Sequence, residues 1–419
     1  MIDHDVEVWT SSELDDQRVG TLRPSFQGGR TLASSSFEYD LEFVRRGWQI
    51  SPELPLYSGR MYTAENRILP GALSDAAPDD WGQKIIRSDH ARRRENDPSL
   101  PARRGDFDYL LGVSDHTRIG ALRFRAHNTW LSTEVGVANL HELSRIVEAA
   151  QRYEADRATD DDIAFLNSVA TSPGGARPKA NVVTAAGRLA IAKLPHSKDG
   201  PVDVERWEAV ALTLARAAGL RTPAWALAAS GAGRAVLISE RFDRDDSGTR
   251  LGYMSGRTAL QLGAHDDGTR LTYEDFTDVI AEYSSAPSED LGEMFGRIAL
   301  SVLVNNVDDH WRNHAFLHDV TGWRLSPLFD VNPSRQRGVI ESRAINDSDD
   351  PGHRRLSNLL ASASAYRLGA SAAREKLRRV AEVVATWDAT AHTLGVAPAE
   401  RKLLSPAFDE QQLAWALSL

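Results

Sequence analysis

Cysteine is missing from the chain altogether. No disulfide framework, thiolate nucleophile, cysteine-ligated zinc or iron–sulfur centre is therefore possible. Also missing is any uninterrupted apolar run of about 18 residues, the length a membrane-spanning helix requires. The opening stretch MIDHDVEVWTSSELDDQRVG carries neither the basic n-region nor the apolar h-region of a secretory signal. The chain is expected to be soluble and cytoplasmic, with no membrane partner. Positive charge is in deficit, since 49 Lys and Arg against 59 Asp and Glu leave a net charge of −10. Such a chain repels phosphate backbones overall and is a poor autonomous binder of nucleic acid. What is present is ordinary globular composition, 42% hydrophobic and 26% charged over 419 residues. That length suits two or three cores.

Residues 1–130 read as strand-rich and irregular. FEYDLEFV (37–44) alternates as a half-buried strand does, and IGALRFR (119–125) does so more loosely. In LPGALSDAAPDDWGQKIIR, Pro78 and the Asp79–Asp80 pair suit the opening of a short helix carrying Trp81, Ile85 and Ile86. Arg92–Arg94, with Arg103 and Arg104, form the most basic stretch. It reads as a solvated surface loop, with a docking patch for an acidic partner or DNA as the alternative. Helical spacing over 137–153 is followed by a second short helix ending near Ala170. The glycine-rich SPGGARPK (172–179) then leads into a hairpin turning near Gly187, and a helix over 205–218 is stopped by Gly219. RAVLISERFD (234–243) is an apolar strand running into charge. Beyond it the longest helical candidates are 290–307, 370–394 and the segment ending at Leu419. Strands first and helices later predict an α+β fold. The expected division is a mixed α/β N-terminal domain over 1–243, itself 1–130 and 131–243, and a helical C-terminal domain over 244–419.

The strongest local signal is NNVDDHWRNHAF (305–316). Asp308 and Asn313 stand five residues apart there, and LSPLFDVNPS later supplies Asp330. Protein kinases use an Asp to orient the acceptor hydroxyl, an Asn five residues on for magnesium, and a second Asp after a hairpin to bridge metal and phosphates. Asp308 as base and Asn313 and Asp330 as Mg2+ ligands fill those roles. Lys193, in the strand LAIAKLP, is placed like the lysine that contacts ATP phosphates. The next helix offers Glu205 and Glu208 as its ion-pair partner, and Glu208 is preferred because it lies nearer the helix middle. The loop containing Gly174, Gly175 and Ala176 permits close approach of backbone amides to phosphate. At the end of ISERFD, Glu240 and Phe242 would flank adenine and Asp243 the ribose. His310 and His314, spaced as on one helical turn, raise the zinc alternative, but no Glu sits between them as the base of a zinc hydrolase would. His310 is expected instead to contact phosphate or hold backbone beside Asp308.

SPGGARPK, IAKLP, LISERFDR, NNVDDHWRNHAF and LSPLFDV together resemble the phosphate loop, lysine strand, hinge, catalytic loop and metal-binding Asp of the HipA-like serine/threonine kinases, the toxins of bacterial HipBA toxin–antitoxin pairs. LPGALSDAAPDDWGQKIIR is similar to the subdomain that precedes the kinase core in that family, so the likeness covers most of the chain from about Phe37. The resemblance implies a protein-kinase-like, two-lobed fold enclosing ATP and magnesium, with 1–130 as the HipA N-terminal subdomain and 131–243 as the kinase N-lobe. It implies that Ser172 is phosphorylated by the enzyme itself, with Ser168 and Thr171 as neighbouring hydroxyls. A phosphate adds about −1.5 to −2 charge to a loop that must receive an anion, so the modification would silence the enzyme. The family's partners would be a HipB-like helix-turn-helix antitoxin, operator DNA reached through it, and a protein substrate with a Ser or Thr acceptor. The precedent is an aminoacyl-tRNA synthetase whose phosphorylation causes growth arrest or persistence. Asp309 stands where some family members have Gly, which leaves the base open between two carboxylates, although spacing to Asn313 favours Asp308. A catalytically inactive co-repressor and a small-molecule kinase are the alternative functions.

Overall fold

Antiparallel pairing organises the beginning of the chain. The computed structural model describes residues 5–11, 16–28, 31–102, 104–171, 175–231, 233–263, 266, 268–336 and 343–419. Strands β1 (Val6–Ser11), β2 (Asp16–Gln27) and β3 (Thr31–Tyr39) are followed by α1 (Leu41–Arg46), β4 (Arg60–Tyr62), α2 (Gly71–Asp75), α3 (Asp80–Asn96) and α4 (Asp106–Gly112). The chain then adds β5 (Leu122–Ala126) and β6 (Thr129–Trp130), giving the order β4-β3-β2-β1-β5-β6. Val6, Val8, Leu22, Phe37 and Phe124 are buried from this sheet against Phe43, Leu73 and Leu110 of the short helices. Burial of this apolar surface is what holds short, weakly helical segments in place.

A second sheet follows. β7 (Ala138–Asn139), α5 (Leu143–Glu154), α6 (Asp160–Val169), β8 (Lys179–Val183) and β9 (Leu189–Lys193) come in sequence. After α7 (Val204–Ala217) and β10 (Trp225–Ala229) the chain supplies β11 (Ala235–Glu240), which pairs antiparallel with β9. β8 and β9 form the expected hairpin, in which Gly187 takes φ +76° and its N–H meets the Thr184 carbonyl at 2.9 Å. Ala180, Val182, Ala190 and Ala192 are buried on one sheet face.

The rest is mainly helical. β12 (Gly252–Ser255), α8 (Gly256–Ala259), α9 (Tyr273–Tyr283) and α10 (Pro287–Leu303) precede the hairpin of β13 (Ala315–Asp319) and β14 (Gly322–Leu325). α11 (Leu356–Ala361), α12 (Ala370–Val384), α13 (Trp387–Thr393), α14 (Pro398–Leu404) and α15 (Glu410–Leu417) complete the chain. α10 is the axis of this part, buried along its length from Asp290 to Leu303 and opened by Pro287 in the first turn. Among the described residues no helix is long and apolar enough to cross a membrane.

The expected α+β class, mixed first and mainly helical later, is borne out. Compactness divides the chain into Met1–Lys198 with Ala229–Met254 and Gln261–Asp266, and Asp199–Ala228 with Ser255–Leu260 and Asp267–Leu419. This differs from a single boundary after Asp243, because α7 groups with the later helices: its Trp207 lies 6.3 Å from Trp387 and 6.1 Å from Phe408 between ring centroids.

Three local expectations are corrected. FEYDLEFV is not one strand: β3 stops at Tyr39, and Asp40 caps α1 by accepting the Glu42 N–H at 3.0 Å, with Phe43 stacked on Tyr39. The alternation that suggested a strand continued by coincidence into a helical turn. Arg92–Arg94 lie in α3, not in a loop. Asp89, one turn earlier, pairs with Arg92 and Arg93 at 2.8 and 2.7 Å and extends the helix through its basic end. The helix expected over 370–394 is two, α12 and α13, parted at Ala385–Thr386, where Trp387 turns to stack on Phe408 at 4.2 Å.

Candidate active site

In the second unit, α10 ends at Leu303 and Asn305 takes a left-handed conformation, φ +49°. The chain thereby leaves the helix sharply and runs without regular structure through Asp308 to an extended His310. The Asn313 amide donates to the Asp308 carbonyl at 2.9 Å, and the Asn313 N–H to the His310 carbonyl at 2.8 Å. These two bonds close the loop Asp308–Asn313 just before β13. Asn313 is buried, whereas the Asp308 side chain is 64% exposed.

The two adjacent carboxylates have opposite environments. Asp309 is buried among the Tyr273 hydroxyl, the Ser301 hydroxyl at 2.9 Å and His314 Nε2 at 3.1 Å, with Arg354 at 3.9 Å. Burial alone would raise its carboxyl, but His314, Arg354 and Tyr273 hold it well below the usual carboxylate range. The Tyr273 phenol is pushed up by the same burial and by Asp309. Asp309 is thus a fixed structural anion. His310 is partly exposed, with Nε2 3.9 Å from Asp308 Oδ1.

His310 and His314 do not form a helical pair. Both are extended and flank a single tight turn over Trp311–Asn313, and His314 is committed to Asp309. The i, i+4 grip needed for the zinc alternative therefore has no geometry behind it.

Asp330 arrives after β14 with φ +57°. Its N–H donates to Glu208 Oε1 of α7 at 3.2 Å, and Glu208 is buried. The approach to Asp330 is held by the Leu328 N–H on the Arg221 carbonyl at 2.8 Å, while Arg221 binds Asp290 at 2.7 Å. Beyond Asp330, the Asn332 N–H donates to Asn306 Oδ1 at 3.3 Å, and the Asn305 amide to the Ser334 and Gln336 carbonyls. The start of this loop at Asn305–Asn306 is therefore tied to the chain just beyond Asp330. Asn313 and Asp330 offer one amide oxygen and one carboxylate. Such a donor set suits magnesium, which binds through one or two carboxylates, substrate phosphates and retained waters. Among the described residues no group of three or more His, Asp or Glu forms an all-protein metal cage.

In the first unit, Lys193 at the end of β9 is opposite Lys179 at the start of β8 in the hairpin register. In the sequence Lys179 stands out only as the end of SPGGARPK. Counting outward from the closing pair Val183–Leu189 would have found it. Gly175 takes φ +102°, and a side chain there would collide with Lys179 Nζ. Ala176 is exposed beside it, and Ser172 and Gly174 lie outside the described residues. Ser168, on α6, donates to the Phe165 carbonyl at 2.6 Å, and Thr171 is buried. Glu240 ends β11 with its carboxylate 3.7 Å from Arg188, and Phe242 is half-buried. Asp243 is buried and engaged by Arg241, by Arg244 at 2.9 Å and by the Gly120 N–H at 2.8 Å. Burial opposes its charge, but Arg241 and Arg244 keep its carboxyl below the usual range. The expected ribose contact finds no support in that geometry. Lys193 belongs to the first unit and Glu208 to the second.

A strand lysine on a hairpin, an Asp–Asn loop and a later Asp are residue types that a phosphotransferase of the protein-kinase class uses. Comparison with known proteins places the chain in a family. Residues 171–387 match the model of the HipA-like C-terminal domain and residues 10–125 that of the HipA N-terminal domain. The chain belongs to the HipA family. Among solved structures it is similar to HipA of the Shewanella oneidensis MR-1 toxin–antitoxin system, determined with HipB and operator DNA. That likeness has 18% identity and a TM-score of 0.68, covering 99% of this chain and 96% of that one. The protein-kinase-like fold class expected from the sequence is thereby borne out. A Helicobacter pylori proinflammatory kinase, CtkA, is matched at 13% identity and a TM-score of 0.39, over 59% of this chain and 92% of that one. No curated protein matches the sequence.

Proposed function

We propose that the chain is an ATP- and magnesium-dependent protein serine/threonine kinase, the cytoplasmic toxin of a type II toxin–antitoxin pair. The observation that carries this reading is the loop Asp308–Asn313, which exposes the Asp308 carboxylate while the Asn313 amide holds the carbonyl behind it. Asp308 accepts the proton of a Ser or Thr hydroxyl as that oxygen bonds to the γ-phosphorus. The bond from phosphorus to the β,γ-bridging oxygen breaks and ADP leaves. Asp309 is spent on Tyr273, Ser301 and His314, so the base is Asp308. His310 stands next to it to meet phosphate oxygen.

Lys193 and Lys179 neutralise the phosphates that are not transferred. Ala176, exposed on the glycine loop, offers its amide to phosphate, and Glu240 and Phe242 hold the base. Asn313 and Asp330 would hold magnesium, which would supply positive charge against the phosphates. Glu208 serves this site by fixing the Asp330 backbone.

Phosphorylation of Ser172 would place a second anion where ATP phosphates belong, giving self-inactivation. The similarity to a HipA determined with HipB and operator DNA supports a HipB-like antitoxin as partner. A net charge of −10 suits a protein that reaches DNA through a companion. The substrate is a translation-related protein, with an aminoacyl-tRNA synthetase as the family precedent. Full-length protein incubated with γ-labelled ATP and magnesium tests the reading: label enters the peptide containing Ser172 and is lost in Asp308→Ala. Failure to bind nucleotide would overturn the kinase reading. Binding with no label in this chain or any added protein would make it a co-repressor.

A further inference from the structure

Asp79 occupies the N-cap of α3, where an aspartate ordinarily accepts N–H groups of its own helix. Its carboxylate makes no such bond. It accepts instead from the Gly175 N–H at 2.8 Å, across 96 residues of sequence. The first turn of α3 adds three contacts to the same stretch. The Trp81 N–H donates to the Gly175 carbonyl at 3.3 Å, and the Trp81 indole N–H to the Lys179 carbonyl at 3.0 Å. Gly82 lies so close to the Thr171 carbonyl that any β-carbon there would overlap it. Both described ends of the glycine loop, Thr171 and Gly175–Lys179, are therefore seated on the first turn of one 17-residue helix.

We infer that Asp79, supported by Trp81, is a positioning residue for the nucleotide: by holding the Gly175 N–H it fixes the Gly175–Lys179 arm, so that Lys179 and the part of the arm beyond Gly175 meet ATP phosphates in one preset geometry. The inference rests on the kinase reading above. It goes beyond it by assigning control of ATP affinity to a helix that touches no reacting atom. A charge-assisted bond to a backbone amide is stronger than a neutral one, and a preset arm lowers the ordering cost of binding. Removing the bond should weaken ATP binding and leave turnover of bound ATP intact.

The test compares full-length wild type, Asp79→Ala, Asp79→Asn and Trp81→Phe. Amide exchange is read at Gly175, with Ile191 of β9 as the internal control for folding, and KM for ATP-magnesium and kcat are measured alongside. Asp79→Ala is expected to speed exchange at Gly175 alone and to raise KM about tenfold, with kcat within about twofold. Asp79→Asn, which keeps an acceptor oxygen, should restore most of both, and Trp81→Phe should give a smaller KM rise. Unchanged KM in Asp79→Ala would overturn the inference, as would a loss confined to kcat. If the wild type binds no ATP-magnesium, the kinase reading falls, and Gly175 exchange alone then decides whether Asp79 anchors the arm.

Discussion

Glu208 Oε1 accepts the backbone N–H of Asp330 at 3.2 Å, joining the buried middle of α7 to a residue in left-handed conformation. The bond holds the Asp330 backbone where a non-glycine residue is strained. Glu208→Ala is expected to reduce phosphotransfer about 10–100-fold, the usual loss when an outer partner of a metal ligand is removed. Glu208→Gln, which retains an acceptor oxygen, should lose less. Initial rates at several magnesium concentrations check this, with the deficit shrinking as magnesium rises.

The division of labour between Asp308 and Asp309 predicts opposite phenotypes. Asp308→Ala should lower the rate by about 10²–10⁴-fold, the range of a general base, without changing the melting temperature. Asp309→Ala should leave His314 and Arg354 without their buried anion and destabilise the fold by about 3–5 kcal/mol. Denaturant unfolding of both variants beside their kinetics separates the two effects.

Acid should weaken the fold through His318 on β13. Burial lowers its pKa from 6.5 to about 4, and it packs on Trp323 at 5.2 Å. Between those values the unfolded chain binds a proton that the folded chain refuses, so stability rises with pH across the window and is lost as pH falls from 6.5 toward 4. His318→Phe should show a shallower decline of the unfolding midpoint between pH 7 and 4.5 than wild type does.

The opposed lysines predict coupled losses in nucleotide affinity. Lys179→Ala and Lys193→Ala are each expected to weaken ATP binding about 10–100-fold, as loss of a charged hydrogen bond does. The double variant should lose less than the product of the two, because both serve one polyanion. Calorimetric titration of ATP at two salt concentrations checks the coupling.

The family likeness was legible because the order of its motifs is demanding: Asp308, Asn313 and Asp330 follow a strand lysine in the stretch that matches the HipA-like C-terminal domain. The fold class was legible from the change of period along the chain. What stayed hidden depended on partners distant in sequence. Nothing local to Asp79 reveals that its carboxylate leaves its own helix for Gly175. Glu208 reads as the inward-facing acid and is buried, but that its Oε1 accepts the Asp330 N–H from 122 residues away is invisible locally. Asp243 is paired with Arg241 and Arg244, two residues before and one after, a pairing that the run RFDR does not announce. Asp40 ended β3 where alternation continued, since a cap outweighs a weak period. The parting of α12 from α13 has no Gly or Pro to announce it and follows from the stacking of Trp387 on Phe408.

The central claim is that Asp308 handles a proton while Asn313 and Asp330 handle magnesium at one nucleotide. Magnesium-titrated transfer of the γ-phosphoryl group, measured for Asp308→Asn, Asn313→Ala and Asp330→Ala, tests it most directly. The account predicts that Asp308→Asn removes turnover while nucleotide still binds with the wild-type magnesium requirement, and that the other two raise that requirement several-fold. An unchanged requirement in both Asn313→Ala and Asp330→Ala, or a wild-type rate in Asp308→Asn, would contradict it.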